Sequence, residues 1–176
     1  RVEQIIAEKN PELDGERRQE VARQIGLGAL TYALISVDNI KDIVFNWDSA
    51  LSFEGQAAPY IQNAHVRANS ILRKAGSLPA SAAFDFELAP LEAELIDWIS
   101  RFPETVLRAA AEYKPLHVAN YAYELAKTFH AFYHAIPVLQ AESTAIQAAR
   151  LRLTAAARQA LANSLHLLGI AAPAVM

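Results

Sequence analysis

Four side chains between residues 60 and 74 combine an aromatic ring, an amide and two positive charges. They are Tyr60, Asn63, Arg67 and Lys74, called the cationic stripe below. At 100° per residue they fall within about 60° of one another on a helix. A ring can stack on an unpaired base, an amide can bond its edge, and cations can hold phosphates. The stripe therefore suits an unpaired nucleotide, although an ordinary amphipathic helix with solvated Tyr and Arg side chains would show the same spacing.

Histidine and carboxylate pairs elsewhere do not form recognisable catalytic or metal sites. His130 and His134 have the i, i+4 spacing that can chelate a metal, but no third ligand of fitting spacing lies near them. His65 lies beside the apolar face of its helix and is expected to be a hydrogen-bonded, half-buried imidazole. Glu92 and Glu94 are two residues apart and point to different helix faces. We therefore predict no catalytic residue and no metal site.

The net charge of −3 is distributed unevenly along the chain. Residues 55–84 hold three cations and no acid, residues 85–112 hold seven acids and two arginines, and residues 113–176 hold five cations and two acids. Affinity for phosphates depends on the local field rather than on the total charge. RNA is therefore expected to meet the first and last of these regions, with the acidic stretch turned away. The alternative is that these are simply solvated faces.

Composition indicates a globular helical protein. The apolar fraction is 53% with only six glycines, and no cysteine occurs. No apolar run approaches the ~20 residues of a membrane span, and no signal peptide opens the sequence. The lack of cysteine fits a reducing compartment. We predict a cytoplasmic protein with no membrane partner.

Periodicity, capping residues and helix breakers predict helices along almost the whole chain. The expected segments are residues 1–9, 15–35, 47–53, 59–74, 91–99, 104–113, 115–135 and 143–168. Asp14 is the expected cap of the second helix, in which Gly26 and Gly28 predict close packing against another backbone. Residues 36–46 are expected to form an exposed loop. The prediction is an all-α bundle of roughly seven to nine helices.

A longer motif surrounds the cationic stripe. Phe53-Glu54-Gly55 is followed by Ala58-Pro59-Tyr60-Ile61-Gln62, and further matching stretches are residues 25–30, 41–47, 70–76 and 167–170. In this order they resemble the C-terminal anticodon-binding domain of class I arginyl-tRNA synthetases. The resemblance covers nearly the whole chain. It implies an all-helical bundle of the class I synthetase anticodon-binding type.

The resemblance also implies which residues grip the anticodon loop. They are the region from Asn39 to Lys41, Tyr60, Asn63, Tyr133 and Met176. Tyr60 and Tyr133 would stack on splayed bases, and Asn63 would hydrogen-bond a base. The cations Arg67 and Lys74 would hold phosphates.

Two positions depart from the family pattern. Asn63 stands where the family commonly has a second tyrosine, so an amide with little π surface replaces a stacking ring. Either Asn63 reads a base edge or Tyr60 carries the stacking alone. Asn46 stands where the family usually has aspartate before Trp47. It is expected to cap the short helix that follows, because Asn caps nearly as well as Asp.

The motifs that perform catalysis in class I synthetases, His-x-Gly-His and a Lys-Met-Ser-Lys-like loop, do not occur here. The chain is therefore expected to be a piece that is inactive alone. Residues 1–35 would join the absent catalytic domain and enter the bundle, and residues 36–176 would form the anticodon-binding domain. Five apolar residues would supply the joint and the core, namely Ile5, Ile6, Ile25, Leu27 and Leu30.

The resemblance implies that the full-length enzyme ligates arginine to its tRNA using ATP with magnesium, while this piece itself takes no cofactor. The implied partners are the tRNA for arginine and the enzyme's own N-terminal catalytic domain, and not DNA. A competing hypothesis is a helical protein-interaction module that has the same fold without tRNA binding. Salt dependence separates the two, because phosphate contacts weaken steeply as salt rises.

Overall fold

Helical periodicity and local capping groups divide the chain into eight helices in the computed structural model, which describes residues 2–11 and 13–176. The helices are α1 (Val2–Lys9), α2 (Gly15–Ile35), α3 (Trp47–Ala50), α4 (Ala58–Ala75), α5 (Pro90–Ser100), α6 (Phe102–Glu112), α7 (Leu116–Ala135) and α8 (Thr144–Leu167). No strand occurs within these ranges. The predicted all-α bundle is confirmed, and the predicted helix boundaries differ from the observed ones by only a few residues.

Side-chain caps begin α2 and α3 at the predicted positions. Asp14 Oδ1 accepts a hydrogen bond from the backbone N–H of Arg17 at 2.8 Å. Asn46 Oδ1 accepts from the backbone N–H groups of Asp48 and Ser49 at 2.8 and 3.1 Å. Both bonds satisfy donors that the first turn leaves unpaired. The two predicted caps are confirmed.

The core lies where α4, α7 and α8 pack against one another. Helix α5 packs on α7 and α8, α6 on α7, α2 on α4, and α1 on α2. Fully buried side chains at the centre include Ile61, Leu125, Phe129, Phe132 and Leu161. Because the apolar face of α4 is buried in this core, the adjoining face that carries the cationic stripe is directed away from its centre.

The two glycines inside α2 differ in their surroundings. A Cβ atom on Gly28 would lie 2.9 Å from Ile170 Cγ2 and 3.0 Å from Gln62 Nε2. A Cβ atom on Gly26 would meet only Val2, at 4.0 Å. The predicted close packing therefore occurs at Gly28, against side chains rather than a backbone, and the prediction is wrong for Gly26.

Arg150, counted above among the cations available to RNA, is buried. Its Nε donates to Glu92 Oε1 at 2.8 Å, and its Nη1 donates to Glu142 Oε2 at 3.0 Å. Glu92 is itself only 1% exposed, so one member of the acidic stretch faces the core and α8 instead of turning away. Removing one partner of such a pair would leave an uncompensated buried charge, so each of the two residues depends on the other inside the bundle.

Candidate nucleic-acid interface

Arg67 on α4 reaches across to α7 and is held there by three rings. Its guanidinium carbon lies 4.9 Å from the centroid of the Tyr133 ring, a cation–π distance. Its Nη1 donates to His134 Nε2 at 2.8 Å and to His130 Nδ1 at 3.3 Å. Sequence reasoning weighed the two histidines only as metal ligands. Their i, i+4 spacing does place them on one face of α7, and the side chain that they share is Arg67.

The partners of His130 determine its protonation. The backbone carbonyl of Tyr60 can only accept, so His130 Nε2 donates to it, at 3.2 Å. The Arg67 guanidinium can only donate, so Nδ1 carries a lone pair. Burial lowers the pKa of His130 to about 4; the bond to the Tyr60 carbonyl opposes this shift, and the charge of Arg67 adds to it. His130 is therefore neutral at pH 7 and holds Arg67 without neutralising its charge.

Tyr60 is less open than a stacking surface on a free helix face. It is half-buried and packs against the main core, with its ring centroid 4.5 Å from that of His130 and 5.7 Å from that of Tyr123. Burial raises the pKa of its phenol. The Tyr60 ring is half-buried because α7 packs alongside α4. The periodicity of α4 alone does not reveal this neighbour.

Asn63 contacts Met176, although the two residues are far apart in the chain. Both were predicted to belong to the same site. Asn63 Nδ2 lies 3.8 Å from Met176 Sδ. The Met176 carbonyl accepts a bond from Asn10 Nδ2 at 3.3 Å, and the side chain packs on a second apolar cluster between α1 and α2 that includes Ile6 and Ile25. Met176 is thus anchored beside the cationic stripe.

Lys74 lies about two helical turns beyond Arg67 on α4. There, Lys74 and Tyr133 line the same surface cleft. Arg67 and Lys74 take part in no ion pair within the part of the chain that the structure describes. Their charges are free to act on a ligand. The α8 cations Arg152 and Arg158 line a different groove, next to Ile96 of α5.

Asn39 and Lys41 are exposed but lie apart from the other predicted site residues. Their loop is fastened at Asp38, whose carboxylate forms a 3.1 Å ion pair with Lys114; this bond lowers the pKa of Asp38. Asn39 lines a small cleft with residues 113–116, at the start of α7. Tyr133 lies near the end of α7, about 26 Å along the helix axis from Leu116. The structure thus contains one continuous group, from Met176 to Lys74, and a separate loop patch.

Comparison with known protein families decides the family. The sequence profile described as the DALR anticodon binding domain matches residues 61–176, which include the cationic stripe from Asn63 onward, Tyr133 and Met176. The chain belongs to this family. The all-helical architecture is therefore that of a DALR anticodon-binding domain.

Curated relatives of this DALR domain are similar over nearly its whole length. The arginine–tRNA ligase of Pyrococcus abyssi is 47% identical and aligns with 98% of the chain. That of Methanosarcina barkeri is 44% identical over 97% of the chain. Among solved structures, the arginyl-tRNA synthetase of Thermus thermophilus matches 99% of the chain with a TM-score of 0.93 and 39% identity.

The DALR domain described here corresponds to only part of those proteins. It spans 28% of the Pyrococcus abyssi ligase, 31% of the Methanosarcina barkeri ligase and 30% of the Thermus thermophilus chain. The comparisons give no support to the alternative of a protein-interaction module. Within the described residues, none of the helices combines the length and the apolarity needed to cross a bilayer.

Proposed function

We propose that this chain binds the anticodon arm of the tRNA for arginine through a surface between α4 and α7. The surface comprises the cationic stripe together with Tyr133 and Met176. The observation that carries the proposal is the placement of Arg67 over Tyr133, with Lys74 beside them. Residues 66 positions apart in the sequence thereby form one positively charged surface with an aromatic ring.

Each group has a chemical role that its surroundings support. Tyr133 is 38% exposed and offers a ring to a splayed base, while the half-buried Tyr60 offers the accessible part of its ring. Asn63, close to Met176, can donate to a base edge and accept from it. Arg67 and Lys74 attract the phosphates. Asn39 and Lys41, at the other end of α7, would contact a second part of the arm.

In the full-length protein, this domain would align the tRNA with a catalytic domain that joins arginine to it, using ATP with magnesium. The names and sequence identities of the relatives support this activity for the whole protein. We propose that it operates in the cytoplasm. The chain alone is expected to be inactive in aminoacylation, since it contains neither catalytic motif.

The expected joint with the catalytic domain is an apolar cleft of about 530 Å³ on α2 and α3. Leu27 is 53% exposed there, Leu30 38% and Trp47 50%. By contrast, Ile6 and Ile25 are buried in the α1–α2 cluster. Of the five apolar residues assigned jointly to core and joint, Leu27 and Leu30 are available for a domain contact, and the fifth, Ile5, is half-buried on α1.

Binding of tRNA to the isolated chain tests the proposal. Filter binding would compare the arginine tRNA with a non-cognate tRNA at two salt concentrations. We expect tighter binding of the arginine tRNA and a steep loss of affinity as salt rises. Equal binding of both tRNAs would indicate general attraction to RNA, and salt-insensitive binding would contradict the phosphate contacts.

A further inference from the structure

An apolar groove of about 610 Å³ lies between α5 and α8, and none of its lining residues belongs to the proposed RNA surface. One edge of the groove comes from the segment 76–89, which connects α4 to α5. Three large apolar side chains are exposed there, Leu78 at 46%, Phe84 at 43% and Ile96 at 37%. Exposed apolar side chains gathered in one concavity mark a surface that another molecule covers.

The dimensions of the groove fit about two turns of an incoming helix. Its α8 wall extends from Arg152 to Gln159, about 10 Å along the helix axis. Ala155 and Ala156 lie between them, and their small side chains let another backbone approach α8 closely. Leu153 is 5% exposed and belongs to the apolar floor. A helix that lays its apolar face into such a groove presents anchors at i, i+4 and i+7.

The charged side chains at the groove indicate which kind of helix it accepts. Arg152 and Arg158 are the charged residues that line it, and neither takes part in an ion pair within residues 2–11 and 13–176. Arg152 is exposed, and Arg158 donates to the neutral Asn69 Oδ1 at 3.1 Å. An acidic partner would therefore meet two available guanidinium groups, whereas a basic partner would be repelled.

We propose that this groove binds an amphipathic helix of another protein, with acidic side chains beside its apolar face. The apolar face would contact Leu78, Phe84 and Ile96, and the carboxylates would pair with Arg152 and Arg158. The interaction is additional to tRNA binding and does not depend on it, because the groove shares no residue with the surface between α4 and α7. Two helical turns bury less area than a standard interface, so binding should be weak and reversible.

Selection from a peptide library tests the chemistry of this partner. The library would contain helical peptides of about 16 residues, with apolar residues at i, i+4, i+7 and i+11 and either Glu or Lys at the positions beside them. The intact chain should enrich peptides that carry Glu at those positions. Fluorescence anisotropy then measures the affinity of an enriched peptide and of its Lys counterpart. No enrichment, or a preference for Lys, would overturn the proposal.

Two substitutions separate the apolar contact from the charged one. Ile96→Glu places an acid among the apolar side chains and should weaken binding of the enriched peptide about tenfold. Arg152→Glu changes an exposed position, so folding should be retained; it should weaken the Glu peptide several-fold and strengthen the Lys peptide. Leu107→Glu is the control, because Leu107 is 71% exposed on α6 and does not line the groove. Wild-type affinity in both Ile96→Glu and Arg152→Glu would overturn the groove as the binding site.

Other occupants of the groove would give different results, each of which contradicts the proposal. A loss of tRNA affinity in Arg152→Met as large as in Arg67→Met would assign the groove to RNA. A wild-type dimer in analytical ultracentrifugation that Ile96→Glu converts to a monomer would assign it to a second copy of the chain. Binding of the enriched peptide by this chain but not by the full-length protein would show that another part of that protein covers the groove.

Discussion

The side-chain amide of Gln62 donates to the carbonyl oxygen of Ala171 at 2.9 Å, which joins α4 to the segment that follows α8. Gln62 is fully buried, and its amide also lies 3.4 Å from the carbonyl of Gln24 on α2. Three parts of the chain therefore meet at one side chain. Gly28 lies directly against this junction, where a methyl group would meet Gln62 and Ile170.

Substitution of the two α2 glycines tests this junction. Gly28→Ala should lower the free energy of unfolding by about 1 kcal/mol, because overpacking costs more than the gain in helix propensity. Gly26→Ala is the matched control. Its Cβ has room, so it should raise stability by up to about 1 kcal/mol. Urea denaturation of both variants measures the difference. Equal stabilisation by both substitutions would show that the side chains of Ile170 and Gln62 can shift to make room for the added methyl group at little cost.

The two tyrosines of the site should separate binding from stability. Tyr133→Ala removes a ring that is 38% exposed and should weaken tRNA binding about tenfold with little change in melting temperature. Tyr60→Ala also removes packing against the core, so it should cost about 1–3 kcal/mol of stability in addition to any loss of affinity. Filter binding and thermal denaturation would be run on the same samples. A strongly destabilised Tyr133→Ala would argue that this ring is structural.

Charge removal at Arg67 should change the salt dependence of binding. Arg67→Met should weaken tRNA binding and reduce the slope of log K against log salt by about 0.9, the value for one phosphate contact on B-DNA, or somewhat less for single strands. Arg152→Met removes the same charge from the groove beside α5 and should leave the slope unchanged. Equal effects of the two substitutions would mean that only the overall charge matters.

His130 should make the fold sensitive to mild acid. Its pKa falls from 6.5 to about 4 in the folded chain, chiefly through burial. Between these pH values the unfolded chain binds a proton at His130 that the folded chain does not bind. The contribution of His130 to the free energy of unfolding is therefore fully present above pH 6.5 and is lost as the pH falls toward 4. At pH 5 the loss is on the order of 2 kcal/mol.

His130→Gln is the control for this pH dependence. Its amide can donate to the Tyr60 carbonyl and accept from Arg67, yet it does not titrate. Melting temperatures at pH 7 and pH 5 should differ less in this variant than in the wild type. A residual decline is expected from His65, whose pKa burial also lowers and whose Nδ1 lies 2.9 Å from the Pro173 carbonyl. An unchanged decline in His130→Gln would assign the whole effect to other groups.

Local sequence signals predicted the secondary structure well because helix ends are set by nearby residues. Asp14, Asn46 and Gly76 mark ends through their own bonds or backbone angles. His65, expected to be half-buried and hydrogen-bonded because it lies beside an apolar face, is hydrogen-bonded as predicted but is only 6% exposed, so it is buried more deeply than expected. The helix ends depend on contacts within a few turns of one helix, whereas the partner of His65, the Pro173 carbonyl, lies 108 residues away.

The composition of the interface could be predicted only in part, because it depends on which helices become neighbours. Periodicity placed Arg67 on an open face but did not reveal that His130 and His134 of α7 would hold it. Charge counting included Arg150 among the available cations, although its partner Glu92 lies 58 residues away. The distance of Asn39 from Tyr133 likewise follows from the packing of the loop on the start of α7.

The return of residues 170–176 across α4 has a consequence for the order of folding. Gly169, with a φ of 69°, reverses the chain after α8, and the returning segment bonds to Gln62, His65 and Asn69 at separations above 100 residues. Such distant contacts form slowly because a long loop must close first. The returning segment should therefore dock after the helices have assembled, and its amides should exchange with solvent hydrogen sooner than those of α7.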